Sequence, residues 1–145
     1  MGYTNSSLAT VKLISPNKNS PRNKPLDIIT IHCFVGQVTA KRGCEVFQPT
    51  SKNASCNYVV GLDGGIGLCV EEKDRSWCTS SAANDNRAVT IEVASDTAHP
   101  YAVTAKACHK RLVHIRRVCS SRSGSDLRAA RSSAVRSQRP PEPTS

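Results

Sequence analysis

Residues 27–34 read Asp-Ile-Ile-Thr-Ile-His-Cys-Phe, a run dense in β-branched side chains and bounded by Pro25 and Gly36. Such a run predicts a buried strand, and no other segment constrains the fold as strongly. Side chains alternate along a strand, so His32 and Cys33 point to opposite faces. We expect Cys33 to lie in the core, because a free cysteine packs as a small hydrophobe. With 145 residues, the chain has room for one domain of ordinary size around this strand.

A hairpin and another strand follow along the chain. Residues 57–62 and 66–70 are largely apolar and flank Asp-Gly-Gly at 63–65. Asp and Gly tolerate the positive φ angles of a tight turn, so this pattern predicts a β-hairpin. Residues 88–94 alternate between apolar and polar side chains, which predicts a strand with Glu92 on its polar face.

The other segments are less regular. Residues 1–26 predict a loop-rich entry, and residues 37–56 a short helix with a loop. Residues 71–86 predict a polar loop, and residues 101–119 a helix with one apolar side. Strands followed by a helix predict an α/β or α+β sheet domain. From about residue 120 the sequence is rich in Arg, Ser and Pro and too poor in apolar residues to form a core, so we expect disorder there.

The basic charge is concentrated at one end of the chain. Residues 108–145 hold nine of the 20 Lys and Arg but only two of the 11 Asp and Glu, so this segment carries most of the net charge of +9. A solvated tail explains that charge better than a nucleic-acid or membrane surface does. Aromatic residues are only 4% of the chain, which argues against a platform for stacking bases.

Several other classes are disfavoured. No apolar run approaches the roughly 20 residues of a membrane helix, and the first residues do not read as a secretory signal. The seven cysteines include no Cys-x-x-Cys pair, so neither a zinc ribbon nor a thioredoxin-type site is indicated. We expect free thiols in a reducing compartment.

Four pieces nevertheless occur in a recognisable order. A histidine ends the first strand, a hairpin opens on Asn-Tyr, a tryptophan follows in a loop, and a glutamate lies in the next strand: Ile29-Thr-Ile-His32, Asn57-Tyr58, Asp74-Arg-Ser-Trp77 and Ile91-Glu92-Val93. This order resembles the zinc-dependent N-acetylmuramoyl-L-alanine amidases, the family of phage endolysin amidases and peptidoglycan-recognition proteins. The resemblance covers roughly residues 10–107 and is most specific over 71–96.

The resemblance implies a fold and a domain organisation. The fold is a single α/β domain with a central mixed β-sheet flanked by helices, incomplete at its C-terminal end. The amidase-like domain spans residues 10–119, and residues 120–145 are a disordered tail.

The resemblance also implies a role for particular residues. His32 matches the first zinc ligand, and Glu92 matches the glutamate that acts on the zinc-bound water. Tyr58 matches a tyrosine near the metal that helps to orient the scissile amide. Trp77 and Asn86 fall in the segment that contacts substrate.

The chain departs from the family pattern at the metal. Cys78 stands where many relatives have His, which puts a substrate contact there in doubt. The family's remaining ligands, a His and a Cys or Asp, follow the helix in a segment resembling His…Cys-Pro-Gly, and this sequence has none. The later candidates are His99, Cys108, His109, His114 and Cys119.

Spacing does not favour these candidates. His109 and His114, and again His114 and Cys119, are five residues apart, about 140° around a helix, so neither pair shares a face. We therefore expect a chain that is truncated or frame-shifted after the resemblance ends.

The expected activity is hydrolysis of the amide bond between N-acetylmuramic acid and L-alanine in peptidoglycan, with Zn²⁺ as the cofactor. The alternative is a non-catalytic peptidoglycan-binding module. The resemblance further implies a monomeric phage or prophage lysin, made in the cytoplasm and acting on the cell wall after release, with peptidoglycan as its partner and neither membrane nor specific nucleic acid.

Overall fold

The structure, a computed structural model, describes residues 3–110, 113 and 128–129. The strands are β1 Val11–Lys12, β2 Lys18–Asn19, β3 Ile28–Val35, β4 Tyr58–Val60, β5 Ile66–Leu68, β6 Arg75–Ser76, β7 Ala88–Ser95 and β8 Arg128–Ala129. The helices are α1 Ala40–Val46, α2 Ala82–Arg87 and α3 at 105–110, with a 3₁₀ turn at Thr50–Lys52.

Six strands form one mixed sheet in the order β1-β5-β4-β7-β3-β8. The hairpin of β4 and β5 is antiparallel, and every other neighbouring pair is parallel. Strands β2 and β6 form a separate two-stranded ribbon. The expected α/β domain with a central mixed sheet is confirmed.

The long strands β3 and β7 form the middle of the sheet. They pair in parallel over eight residues, from Ile28 opposite Ala88 to Val35 opposite Ser95. Both runs are rich in β-branched residues, which suit a pleated surface covered on both sides. The predicted strands at 27–34 and 88–94 are therefore confirmed to within a residue.

Two apolar clusters cover the two faces of the sheet. The larger cluster packs the hairpin and β7 side chains with neighbouring residues: Leu26, Ile29, Tyr58, Val60, Ile66, Leu68, Val89, Ile91, Val93 and Ala107. The smaller cluster lies under α1 and contains Cys44, Phe47, Cys56, Val59 and Cys69. Helix α1 approaches the sheet closely, since a Cβ added at Gly43 would lie 2.5 Å from Val59 Cγ1.

The polar segment 71–86 is more ordered than the sequence predicts. It contains β6 and α2, and Ser81 caps α2 by accepting a hydrogen bond from the Asn84 amide. The buried Arg22 organises this region by donating hydrogen bonds to four backbone carbonyls, of Glu72, Asp74, Asp85 and Asn86. A contact between residues 50 or more apart leaves no local signal in the sequence.

The C-terminal predictions need correction where the structure describes them. Helix α3 begins at residue 105, not 101, because Thr104 caps it by accepting a hydrogen bond from the Ala107 amide. Arg128–Ala129 pairs with Ile28 and Ile29 as β8, a strand that the sequence does not predict. The rest of the predicted helix and tail, residues 111–112, 114–127 and 130–145, lies outside the described part of the chain. Within that part, no helix is long and apolar enough to cross a bilayer.

The prediction for Cys33 is wrong. Its thiol is exposed rather than buried. Cys33 does lie on the face of β3 opposite His32, but neighbouring Val35 is also exposed, so the described residues do not cover this end of the strand.

Cysteine labelling tests this packing. We expect an alkylating reagent to modify Cys33 rapidly, and Cys44, Cys56 and Cys69 on the order of 10³-fold more slowly, because reaching these buried thiols requires opening of the core. Burial also raises the pKa of Cys56 to about 12, which keeps it as the unreactive thiol. Peptide mapping by mass spectrometry would follow each site, with labelling in urea as the control. Equal rates for Cys33 and Cys56 in the folded protein would contradict the assignment.

Candidate metal centre

Three potential ligands converge on one face of the sheet. His32, Cys78 and Glu92 each offer a ligand atom, and the three atoms lie within 4.8 Å of one another. All three side chains are half-buried. Among the described residues this is the only such group of three His, Cys, Asp or Glu side chains.

The sheet register brings two of the three together. His32 in β3 is paired with Glu92 in β7, so neighbouring parallel strands project both side chains from the same face. Val59 of β4 is paired with Glu92 on its other side and continues that face toward α1. The sequence alone predicts His32 and Glu92 as functional residues, and the register places them side by side.

The third member comes from a loop. Cys78 follows β6, and its Sγ lies 3.7 Å from Glu92 Oε1. The buried carboxylate of Asp85, in α2, accepts hydrogen bonds from the Cys78 and Thr79 amides at 3.0 and 3.2 Å and from Thr79 Oγ1 at 2.6 Å. Helix α2 therefore fixes the backbone that presents the thiol.

Burial controls the electrostatics of this site in the absence of metal. It raises the pKa of Glu92 to about 7 and also raises the pKa of the Cys78 thiol, which lies beside the Glu92 carboxylate. Burial lowers the pKa of His32, although the charge of Asp85 opposes that shift. The lowered pKa favours the neutral imidazole, which is the form that binds a metal.

The donor set is suited to zinc. Zn²⁺ binds imidazole nitrogen, thiolate sulfur and carboxylate oxygen, and separations under 4.8 Å leave room for one ion among the three atoms with small adjustments. Catalytic zinc sites leave one coordination position open for water, and the partial exposure of this cluster would give solvent access to such a position.

A groove of about 430 Å³ adjoins this cluster. Trp77 and Cys78 line it together with Arg75 and Asp85. The Trp77 indole is held in place by a hydrogen bond from its Nε1 to Asn19 Oδ1 at 2.7 Å. The structure thus places Trp77 in the groove wall next to the candidate ligands.

Tyr58 is not part of this site. It pairs with Ile91, the neighbour of Glu92, so its side chain projects from the opposite face of the sheet. The ring is fully buried in the larger apolar cluster, and its hydroxyl donates to Glu72 Oε1 at 2.8 Å and accepts from the Ser6 amide at 2.7 Å. The expectation that Tyr58 orients a substrate at the metal is therefore corrected, and its contacts are those of a core residue.

Asn86 also makes other contacts. Its side chain donates to the Ala82 carbonyl and accepts from the Asn23 amide, at 2.9 and 3.3 Å. It is not among the described residues that line the groove. These bonds tie the end of α2 to the segment before β3, so the expectation of a substrate contact at Asn86 is not supported.

The later ligand candidates do not join the cluster where they are described. His99, Cys108 and His109 belong to the described residues, and none of them forms part of the group around His32. His114 and Cys119 lie outside the described residues.

Sequence reasoning missed the positions of Cys78 and Asp85. From the sequence, Cys78 is only a departure from the family pattern, and Asp85 is only one residue of the polar segment 71–86. The Ser81 cap before a short helix is a local signal for α2, but no local signal shows that this helix faces β7.

Solved structures share this fold. A mutant endolysin from Bacillus subtilis matches with a TM-score of 0.65 at 15% identity, covering 82% of this chain and 80% of that one. PlyL matches with a TM-score of 0.60 at 16% identity over 77% and 72% of the two chains. AmpD matches with a TM-score of 0.59 at 16% identity over 81% and 76%. No curated protein sequence gives a significant match.

These structures, at 15–16% identity, show that the chain shares their fold. The family model for N-acetylmuramoyl-L-alanine amidase matches residues 22–128, well past the point near residue 107 where the motif resemblance fades. The chain belongs to the N-acetylmuramoyl-L-alanine amidase family, whose members hydrolyse the amide that joins the glycan to the stem peptide of peptidoglycan.

Replacing Glu92 by Gln tests the electrostatics of the metal-free site. The folded pKa of about 7 exceeds the ordinary value of 4.5, so the folded chain binds this proton more tightly than the unfolded chain. Stability then falls as the pH rises through that interval. Because the amide cannot ionise, we expect the stability of the variant relative to wild type to grow by up to about 3 kcal/mol from pH 4.5 to about 7.

Urea unfolding in the presence of a chelator would measure this difference at each pH. Glu45→Gln, which removes an exposed carboxylate on α1, is the matched control and should show a much smaller change. The same pH dependence in wild type and Glu92→Gln would contradict the shift.

Proposed function

We propose that this chain itself cleaves the bond between N-acetylmuramic acid and L-alanine, with zinc bound at His32 and Glu92 acting as the general base. The observation that carries the proposal is the pairing of His32 with Glu92 across β3 and β7, which places an imidazole and a carboxylate together on a half-buried face. Family membership supplies the bond that is cleaved.

The chain's own residues would divide the work as follows. Bound zinc lowers the pKa of a coordinated water to about 7 and so supplies a nucleophile at neutral pH. Glu92 would accept a proton from the attacking water and return it to the leaving amine of alanine. The paired strands hold Glu92 in a fixed position relative to His32. The two groups would therefore lose little conformational entropy when the transition state forms.

The groove beside the cluster would hold the muramyl peptide. Trp77 offers an apolar face on its wall, and the Asn19 hydrogen bond keeps the indole from rotating away. Arg75 lies in the same wall and could pair with a carboxylate of the stem peptide.

The biological setting we propose is that of a phage or prophage lysin that works as a monomer on the cell wall. The likeness to a Bacillus subtilis endolysin supports this setting. The domain proper would span residues 10–119.

Activity on purified peptidoglycan tests the reaction. We expect wild-type protein with zinc to expose new N-terminal alanine amines on the stem peptides, since the cleaved amide nitrogen belongs to that residue. Glu92→Gln should lower this rate by about 10²–10⁴-fold, the usual contribution of general acid–base catalysis. N-terminal analysis of the digested wall would measure both rates.

The matched control is Glu45→Gln, whose carboxylate lies on α1 in an exposed pair with Arg42. It should retain wild-type activity. Protein that sediments with peptidoglycan but exposes no N-terminal alanine at any zinc concentration would instead identify the non-catalytic binding module.

Zinc content tests the cofactor separately. We expect elemental analysis of the purified full chain to find about one zinc per chain, since structural and catalytic zinc sites bind tightly at neutral pH. His32→Ala should lose most of it. Zinc bound equally by both proteins would show that the metal lies elsewhere.

A further inference from the structure

We propose that Cys78 is a metal ligand, binding the same ion as His32 through its thiolate. This inference rests on the proposed function, because it concerns the zinc site of the proposed amidase. Cys78 lies in the loop between β6 and α2. The site would then take its sulfur ligand from this loop, and not from the segment after α3 in which the family resemblance places a cysteine.

Distance supports this assignment. The ligand atoms of His32, Cys78 and Glu92 all lie within 4.8 Å of one another, and Sγ of Cys78 is 3.7 Å from Glu92 Oε1. In a tetrahedral zinc site, bond lengths near 2.0–2.3 Å put neighbouring ligand atoms about 3.5 Å apart. The Cys78 thiol lies within 4.8 Å of the ligand nitrogen of His32, so a small adjustment of the side chains would let one ion reach both atoms.

The loop is built to present this thiol. Asp85 is 2% exposed, and its carboxylate accepts the Cys78 amide, the Thr79 amide and the Thr79 hydroxyl. On the other side of Cys78, the Trp77 and Ser55 backbones are joined, the Ser55 amide donating to the Trp77 carbonyl at 2.9 Å. A cysteine fixed from both sides loses little conformational freedom when it binds an ion.

The chemistry of the site agrees with the geometry. A thiolate with an imidazole is a softer donor set than carboxylates alone, and it selects Zn²⁺ over Mg²⁺ or Ca²⁺. Binding forms the metal–sulfur bond and releases the thiol proton to solvent. The positive ion compensates the negative charge that Cys78 and Glu92 would otherwise hold side by side in a half-buried position.

Cobalt is the probe that reports sulfur directly. Full-length protein, reduced and stripped of metal with a chelator, would be titrated with Co²⁺ while its absorption is recorded. We expect a thiolate-to-cobalt charge-transfer band in the near ultraviolet that saturates at one equivalent. Cys78→Ser should lose this band, and His32→Ala should weaken cobalt binding.

Two further variants sharpen the test. Cys33→Ser removes an exposed thiol on the opposite face of β3, next to His32, and should keep the band unchanged. Asp85→Asn keeps Cys78 but disturbs the loop that positions it, and it should keep the band while weakening affinity by about 10–100-fold. Loss of the band in Cys33→Ser, or its persistence in Cys78→Ser, would overturn the assignment.

A second measurement does not depend on how Cys78→Ser folds. Wild-type protein would be alkylated with and without zinc, and each cysteine followed by peptide mapping. Zinc should slow modification of Cys78 by at least about tenfold while leaving Cys33 unchanged. Equal rates at Cys78 with and without zinc would overturn the proposal.

The outcomes separate this inference from the proposed function. Cobalt bound without a sulfur band, together with new N-terminal alanine in the digested wall, would overturn the assignment of Cys78 as a ligand and leave the zinc amidase intact. A sulfur band without new N-terminal alanine would support the ligand and remove the catalytic role. Absence of any metal binding would overturn both the ligand and the zinc-dependent reaction.

Discussion

The parallel pairing of β3 with β7 is the contact on which both the core and the candidate site depend. Its register sends Ile29, Val89 and Ile91 into the larger apolar cluster and sends His32 and Glu92 together to the other face. A slip of either strand by one residue would move that strand's side chains to the wrong face and separate His32 from Glu92. The hydrophobic burial that stabilises the sheet therefore also holds the imidazole and the carboxylate in place, since the two sets share one backbone.

The second requirement is the polar framework that carries Cys78 to this face. Arg22 binds four backbone carbonyls around the loop and α2, and Asp85 binds the amides of Cys78 and Thr79. Buried charged groups of this kind are tolerated only when their hydrogen bonds are satisfied. Here the satisfied bonds specify the path of a segment that has few apolar residues and could not be placed by hydrophobic packing.

Sequence patterns predict the strands well and the site only in part. The β-branched runs and the Asp-Gly-Gly turn locate β3, β7 and the hairpin, because these signals are local. The role expected for Tyr58 was wrong, since the register between β4 and β7 decides which face the ring occupies and no local pattern reports it. The place of Cys78 is likewise set by Asp85, seven residues further along the chain, and by Arg22, which binds carbonyls 50 or more residues away. The positions of the strands therefore follow from local patterns, whereas the burial of Cys33 and the surroundings of Tyr58 and Cys78 depend on how distant segments pack together.

The candidate site destabilises the metal-free folded protein, and metal binding would offset this loss of stability. His32, Cys78 and Glu92 are polar groups removed from much of their water, and burial raises the pKa of Glu92 because it disfavours the charged carboxylate there. A protein gains nothing from such a cluster as packing alone, because apolar side chains of similar size would fill the space more favourably. An ion bound by His32 and Cys78 beside the Glu92 carboxylate would convert this penalty into affinity for the folded state and so couple metal binding to folding. His32 and Glu92 lie on β3 and β7, which pair over eight residues. This long pairing stabilises the sheet where the two buried polar groups destabilise it.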